Sequence, residues 1–138
     1  MDKTQLSESD ICDKFIRPAM EKAGWNGLDQ IFREYPLRAG RVVVRGNKAY
    51  RDKSTVLRAD YALFYKANIP LAVVEAKDNK HAVGAGMGQA LNYAQLLDVP
   101  FSFSSNGDGF VFRDATLATG VLEQNLTLEE FPSPEELW

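Results

Sequence analysis

Cysteine and histidine each occur once among the 138 residues, and that scarcity removes several chemistries at the outset. Cys12 has no partner for an internal disulfide and reads as a partly buried helix residue. No Cys/His set has zinc spacing. Long apolar runs are missing too. Nothing approaches the roughly 20 apolar residues of a membrane-spanning helix, and no charged-then-apolar leader pattern opens the chain, so a cytoplasmic protein with no membrane contact is expected. A Walker A pattern is also lacking, so no ATPase is expected from these residues. What remains is an ordinary globular mixture, 45% apolar and 25% charged, long enough for one domain with a real core.

Net charge is −3, which taken alone disfavours a nucleic-acid partner, yet the charge is unevenly spread. Between Arg33 and Arg58 there are eight bases (Arg33, Arg38, Arg41, Arg45, Lys48, Arg51, Lys53, Arg58) against Glu34 and Asp52, a balance of 8 − 2 = +6. From Asp114 to Trp138 there are six acids and no base, a balance of −6. The asymmetry predicts a basic face suited to phosphate and an acidic segment directed elsewhere.

Local signals place the elements. Ser7 as N-cap with Asp10 three residues on starts a helix, and Ile11, Phe15, Ile16 and Ala19 recur at its period. Pro18 should kink it or begin a new turn, and Gly24 should end it above Trp25. Gln30 to Leu37 fits a short strand or irregular chain, because Pro36 bars a central ladder position. Gly40 to Gly46 reads as a strand and Asn47 to Thr55 as a basic loop. Two apolar runs around Lys66-Ala67-Asn68-Ile69 then predict an antiparallel hairpin. The continuous run Leu71 to Val74 predicts a strand covered on both faces. Ala90, Leu91, Ala94 and Leu97 mark a helix from about Met87, and Phe101 to Ser104 and Phe110 to Phe112 mark two strands about the Asn106-Gly107-Asp108-Gly109 turn. The expected fold is α/β, a central mixed β-sheet flanked by helices in the order α-β-β-β-α-β-β, with the strands on either side of the second helix parallel.

The hairpin carries the chemistry. A turn centred between Ala67 and Asn68 pairs residues whose numbers sum to 135, so Asp60 lies opposite Glu75. Like charges so placed repel, and a cation between them is expected. Lys77 shares the Glu75 face by strand alternation, and Arg58 shares the Asp60 face. Mg²⁺ needs only one or two carboxylates with water and phosphate, so this pair suffices without histidine. Asp60, Glu75 and Lys77 would also serve as a plain ion-pair cluster on a sheet surface.

These residues also carry a resemblance. Asp60 followed by Glu75-Ala76-Lys77 resembles the PD-(D/E)xK nuclease signature, with Ala59 where that name has proline. Wider phrases agree: Ala23-Gly24-Trp25, Arg33-Glu34-Tyr35-Pro36-Leu37, Gln89 and Tyr93 four apart, Ser105-Asn106-Gly107, and Phe131 to Leu137. Together they resemble the N-terminal nuclease domain of the restriction (R) subunit of type I restriction-modification enzymes. The resemblance implies a restriction-endonuclease-like core and cleavage of double-stranded DNA supported by Asp60, Glu75, Lys77, Gln89 and Tyr93. It implies Mg²⁺, with Mn²⁺ as a substitute, held by Asp60, Glu75, the Ala76 backbone carbonyl and an acid of the first helix. Glu8 is the best match for that acid, ahead of Asp10 and Glu21. DNA contacts fall to Arg41, Arg45, Arg51, Lys53 and Arg58. The resemblance further implies that ATP enters only through a helicase motor farther along a longer chain, and that methylation and specificity subunits choose the target.

Residues 1–125 are therefore expected to form the endonuclease-like domain, and 126–138 an acidic linker toward the motor. Ser133-Pro134-Glu135-Glu136 announces a helix two residues before the last one, and the natural chain is expected to continue. The fragment alone is expected to cut linear DNA weakly or not at all. Two other readings stay open: a free-standing nuclease of the same fold in repair or junction cleavage, and a non-catalytic DNA-binding or assembly module. The interrupted helix argues against the first, and the full set of catalytic side chains against the second.

Overall fold

The computed structural model describes residues 3–26, 28–37, 57–66, 69–115 and 123–137. The strand expected at Gly40 to Gly46, the loop after it, and with them Arg41, Arg45, Arg51 and Lys53 lie outside the described residues. A short 3₁₀ turn (Lys3–Gln5) leads to α1 (Glu8–Ile11), which passes through a π turn (Cys12–Ile16) into α2 (Arg17–Lys22). Ser7 and Asp10 form the expected capping box. Pro18 has its effect one turn early: the Arg17 N–H bonds Cys12 five residues back, the wider turn that accommodates a proline ring. Gly24, at φ 109, ends α2.

Six strands follow among the described residues: β1 (Ile31–Leu37), β2 (Leu57–Lys66), β3 (Ile69–Ala76), β4 (Phe101–Ser105), β5 (Phe110–Asp114) and β6 (Glu123–Leu126), with α3 (Met87–Leu97) between β3 and β4. They form one sheet in chain order. The β3/β4 pair is parallel and the rest are antiparallel, as the α3 crossover requires. Pro36 is tolerated because β1 lies at the sheet's edge among the described strands. β3 is central, and Leu71 to Ala76 are all buried. One face packs Tyr61, Leu63, Ala72 and Val74 against Ile11, Ile16 and Met20 of the N-terminal helices. The other packs Ala59 and Val73 against Met87, Ala90, Tyr93 and Ala94 of α3. Phe101, Phe103 and Phe110 are core residues, and Phe112 is partly buried against them.

β6 was not expected. Its Glu-Gln-Asn-Leu sequence is polar and exposed, so it shows no apolar period and is held by ladder bonds to β5. The stretch that reads as an acidic linker packs back onto the domain. Phe131 sits 4.5 Å from the Phe103 ring and 4.7 Å from that of Phe110, and the Trp25 indole donates to Pro132 O at 2.8 Å. Its acids serve partly as caps: Glu130 accepts from Thr127 N, and Glu136 from Ser133 N at the start of α4 (Pro134–Leu137).

The turn after β4 lies tight under α1. Gly107 has φ 94, and a Cβ there would stand 3.1 and 3.2 Å from Ile11 side-chain atoms. Gly107→Ala is expected to destabilise the domain by about 1–3 kcal/mol through backbone strain and overpacking. A urea midpoint equal to that of the parent would contradict this.

Candidate active site

The hairpin register is the expected one: Tyr61↔Val74, Ala62↔Val73 and Leu63↔Ala72 each sum to 135. Nearer the turn it slips, pairing Phe64 with Pro70. One step beyond Tyr61↔Val74, Asp60 and Glu75 face one another, and here side chains take the place of ladder bonds. Asp60 N donates to Glu75 Oε2 and Ala76 N donates to Asp60 Oδ2, both at 2.8 Å. Each acid thus caps the opposite strand, so both carboxylates are fixed by backbone. Glu75 is 3% exposed; burial, then the charge of Asp60, pushes its pKa up to about 8. Burial also raises Asp60, opposed by the Ala76 N–H, Arg33 and Lys77.

A row crosses three strands here. β1 and β2 pair with sum 94, so Glu34, flanked by Arg33↔Tyr61 and Tyr35↔Ala59, stands opposite Asp60. Glu34 has φ 52, a left-handed conformation costly for a residue with a Cβ. Across this row β1 and β2 exchange faces, while β3 does not: Ala72, Val74 and Ala76 stay together in the core under the N-terminal helices. Ile31, Tyr61 and Leu63 belong to the core under the N-terminal helices, whereas Leu37 and Ala59, of the same parity, belong to the core under α3. Simple alternation therefore fails at Asp60, and with it the basis for placing Arg58. Arg58 is exposed opposite Pro36, and the cations that act most on Asp60 are Arg33 and Lys77.

Two other elements bring charge to the pair, and α3 stands nearby with polar groups. Glu8 opens α1; its carboxyl is raised by partial loss of water, then by Asp60 and Asp78, and lowered by Lys77 and Arg33, so it shares their field. The rival acids are committed elsewhere, Asp10 to the Ser7 cap and Glu21 to Arg17 at 3.2 Å. Lys77 is half-buried, makes no ion pair among the described residues, and lowers both Asp60 and Glu8. Gln89 and Tyr93 do share a face, with Gln89 Nε2 donating to Tyr93 Oη at 2.6 Å. The Tyr93 ring is core packing beside Leu37, Ala59 and Val73, and no described hydrogen bond joins either residue to Asp60, Glu75 or Lys77. His81 is exposed and pairs with Asp78 at 2.9 Å.

In the sequence Arg33 is one base of the basic segment and the first residue of the Arg33-Glu34-Tyr35-Pro36-Leu37 phrase, with no role at the site assigned to it. In the fold its guanidinium lies 5.4 Å from the Tyr61 ring centre and 3.4 Å from Asp13, and its Nε is buried without a partner. The left-handed residue beside it, which no pattern in the sequence signals, accounts for that oversight.

No three His, Cys, Asp or Glu side chains among the described residues form a metal cage. The Asp60/Glu75 pair nevertheless suits Mg²⁺. Both are hard oxygen donors, each is backbone-anchored through one oxygen, and burial together with the neighbouring Asp60 charge raises Glu75.

A family model described as the type I restriction enzyme R protein N terminus matches residues 47–119. The endonuclease subunit of the Escherichia coli type I restriction enzyme EcoAI is 55% identical over 136 residues, 98% of this chain and 16% of that one. A solved fragment assigned as an HsdR subunit of a type I restriction enzyme from Vibrio vulnificus YJ016 superposes with TM-score 0.77 at 38% identity, over 96% of this chain and 24% of that one. The chain therefore spans about a sixth of the curated relative and about a quarter of the solved one.

Proposed function

The chain belongs to the family of type I restriction enzyme R protein N termini, and from that premise we propose that it is a metal-dependent endonuclease domain hydrolysing DNA phosphodiester bonds. The observation that carries the reading is the reciprocal capping of Asp60 and Glu75, which fixes two carboxylates side by side with Lys77 and Glu8 in their field. Asp60, Glu75, the Ala76 carbonyl and Glu8 would hold Mg²⁺ or Mn²⁺. Such an ion supplies an acidified water and a counter-charge for the scissile phosphate.

The protein's own groups do the rest. Glu75 would hold such an ion as the carboxylate, its buried setting strengthening the attraction between opposite charges. Asp60 holds its place through Ala76 N, so no reorganisation of strands is needed. Lys77 Nζ, unclaimed by any described carboxylate, is free to donate to the attacking water or a phosphate oxygen. In the hydrolysis the water oxygen bonds phosphorus as the bridging P–O bond breaks and the leaving oxygen takes a proton. Arg41, Arg45, Arg51, Lys53 and Arg58 supply the phosphate-binding approach. Gln89 and Tyr93 line the α3 side, with Tyr93 anchoring Gln89. Target choice and ATP-driven motion belong, in this reading, to methylation and specificity subunits and to translocase domains of the longer R chain. The whole assembly acts on double-stranded DNA in the cytoplasm; no described helix is long and apolar enough to cross a membrane.

Asp60→Asn in the full-length R subunit, assembled with its partner subunits, tests the reading. DNA cleavage should be lost while ATP hydrolysis persists. Normal restriction by that variant would overturn it.

A further inference from the structure

The residues after β3 have no regular structure until Met87, and their composition, Lys-Asp-Asn-Lys-His-Ala-Val-Gly-Ala-Gly, offers little to bury. They are held instead by the end of β4. Lys77 N donates to Ser105 O at 2.9 Å, which continues the parallel ladder past Ala76↔Ser105. The other bonds involve side chains. Asn79 Nδ2 donates to Asn106 O at 2.8 Å, and Asn106 Nδ2 donates to His81 O at 2.6 Å. Gly86 N donates to Ser104 Oγ at 2.9 Å, while that hydroxyl donates to Val83 O at 2.7 Å.

Ser104 is 0% and Asn106 4% exposed. A buried amide and a buried hydroxyl are costly unless fully bonded, and here their bonds go chiefly to this connector. Asn106 Oδ1 also accepts from Asp108 N at 3.0 Å, so one amide ties the β4 turn to the connector. The far end is clamped hard: a Cβ at Gly86 would stand 3.1 Å from Ser104 Oγ and 3.3 Å from Glu75 Cβ. Lys77 has no described ion pair to hold its ammonium, so its place is set by its backbone, which its own N–H ties to Ser105 O and the strap holds from Asn79 onward.

We infer that Asn106, assisted by Ser104, is a positioning residue that straps the Lys77–Gly86 connector to β4 and so keeps Lys77 beside the Asp60/Glu75 pair. The inference rests on the role proposed for Lys77 and assigns the Ser105-Asn106-Gly107 phrase a task. Displacing a reacting group by about an ångström costs on the order of 100-fold in rate.

The test uses the full-length R subunit in its assembled enzyme, with Asn106→Ala, with Asn79→Ala, which removes one strap bond from the connector side, and with Lys77→Ala as reference. Single-turnover cleavage should fall about 10- to 100-fold in Asn106→Ala and roughly 5-fold in Asn79→Ala, as loss of one hydrogen bond predicts. Amide exchange should accelerate within residues 77–86 and stay unchanged in β2 and β3, a pattern that general loss of folding would not produce. Normal cleavage in both variants, slower cleavage without faster connector exchange, or faster exchange throughout the hairpin in both variants would overturn the inference. If Asn106→Ala does not fold, Asn79→Ala decides by the same criteria. Normal cleavage by Lys77→Ala would instead remove the proposed role of Lys77.

Discussion

Glu75→Gln is expected to leave the protein more stable in mildly alkaline solution and to depress DNA cleavage at least about 100-fold. The two effects share one cause. Glu75 is buried beside Asp60, and its pKa stands at about 8, well above the ordinary 4.5. From the ordinary value upward the unfolded chain releases this proton while the folded protein keeps it. The associated stability is therefore present in full below about pH 4.5 and is lost as pH rises toward and through 8. Glutamine has the same shape, can still accept from Asp60 N, and never ionises. At pH 9 it should gain on the order of 2–4 kcal/mol over the parent, and little at pH 5. Urea unfolding of both proteins at the two pH values checks this; parallel loss of stability in parent and variant would refute it. Cleavage suffers because a neutral amide cannot supply the second negative charge that a divalent cation requires. Stability sacrificed at a reactive site is a familiar trade, and here it resides in one carboxyl.

How much of this was legible beforehand follows from which signals are local. The Asp60/Glu75 opposition came from counting across a turn, and from Leu63 to Asp60 the register held, despite an irregularity nearer the turn, because a one-residue slip there would invert the core side of a covered strand. The Ser7/Asp10 capping box and the span of α3 were likewise written in a few adjacent residues. The reversal of faces across Glu34 and Asp60 was not. It depends on a left-handed glutamate in one strand and on carboxylates substituting for ladder bonds in the next two, none of which leaves a periodic trace. Arg33 and Arg58 were consequently misweighted, since alternation favoured Arg58 and the fold brings the charge of Arg33 to Asp60. β6 escaped because an exposed polar edge strand is specified by its partner's backbone, not by its own side chains. The strap of Asn106 is of the same kind: its asparagine reads as turn chemistry, and only the tertiary fold shows that its amide reaches His81.

Lys77→Ala is expected to lower single-turnover cleavage by the assembled enzyme about 100- to 1,000-fold while leaving the folded domain essentially as stable as before. The rate loss follows from removing a preorganised donor aimed at developing charge, which typically costs that much. Removing the ammonium also withdraws the positive charge that lowers Asp60 and Glu8, so both hold protons more tightly and compete with the cation. Stability is spared because Lys77 is only half-buried, has no ion pair among the described residues, and is anchored through its backbone N–H to Ser105, a bond that alanine keeps. DNA affinity should change little, since one cation among the bases of the Arg33 to Arg58 segment contributes a small part of phosphate attraction. Lys77→Arg separates charge from geometry. Its guanidinium retains the field on Asp60 and Glu8 but is a planar fork in place of a compact ammonium, so it should recover cation binding more than rate. Were Lys77→Ala to cut normally, the ammonium would have no part in the chemistry. If its melting point also fell by many degrees, the residue would belong to the fold and not to the site.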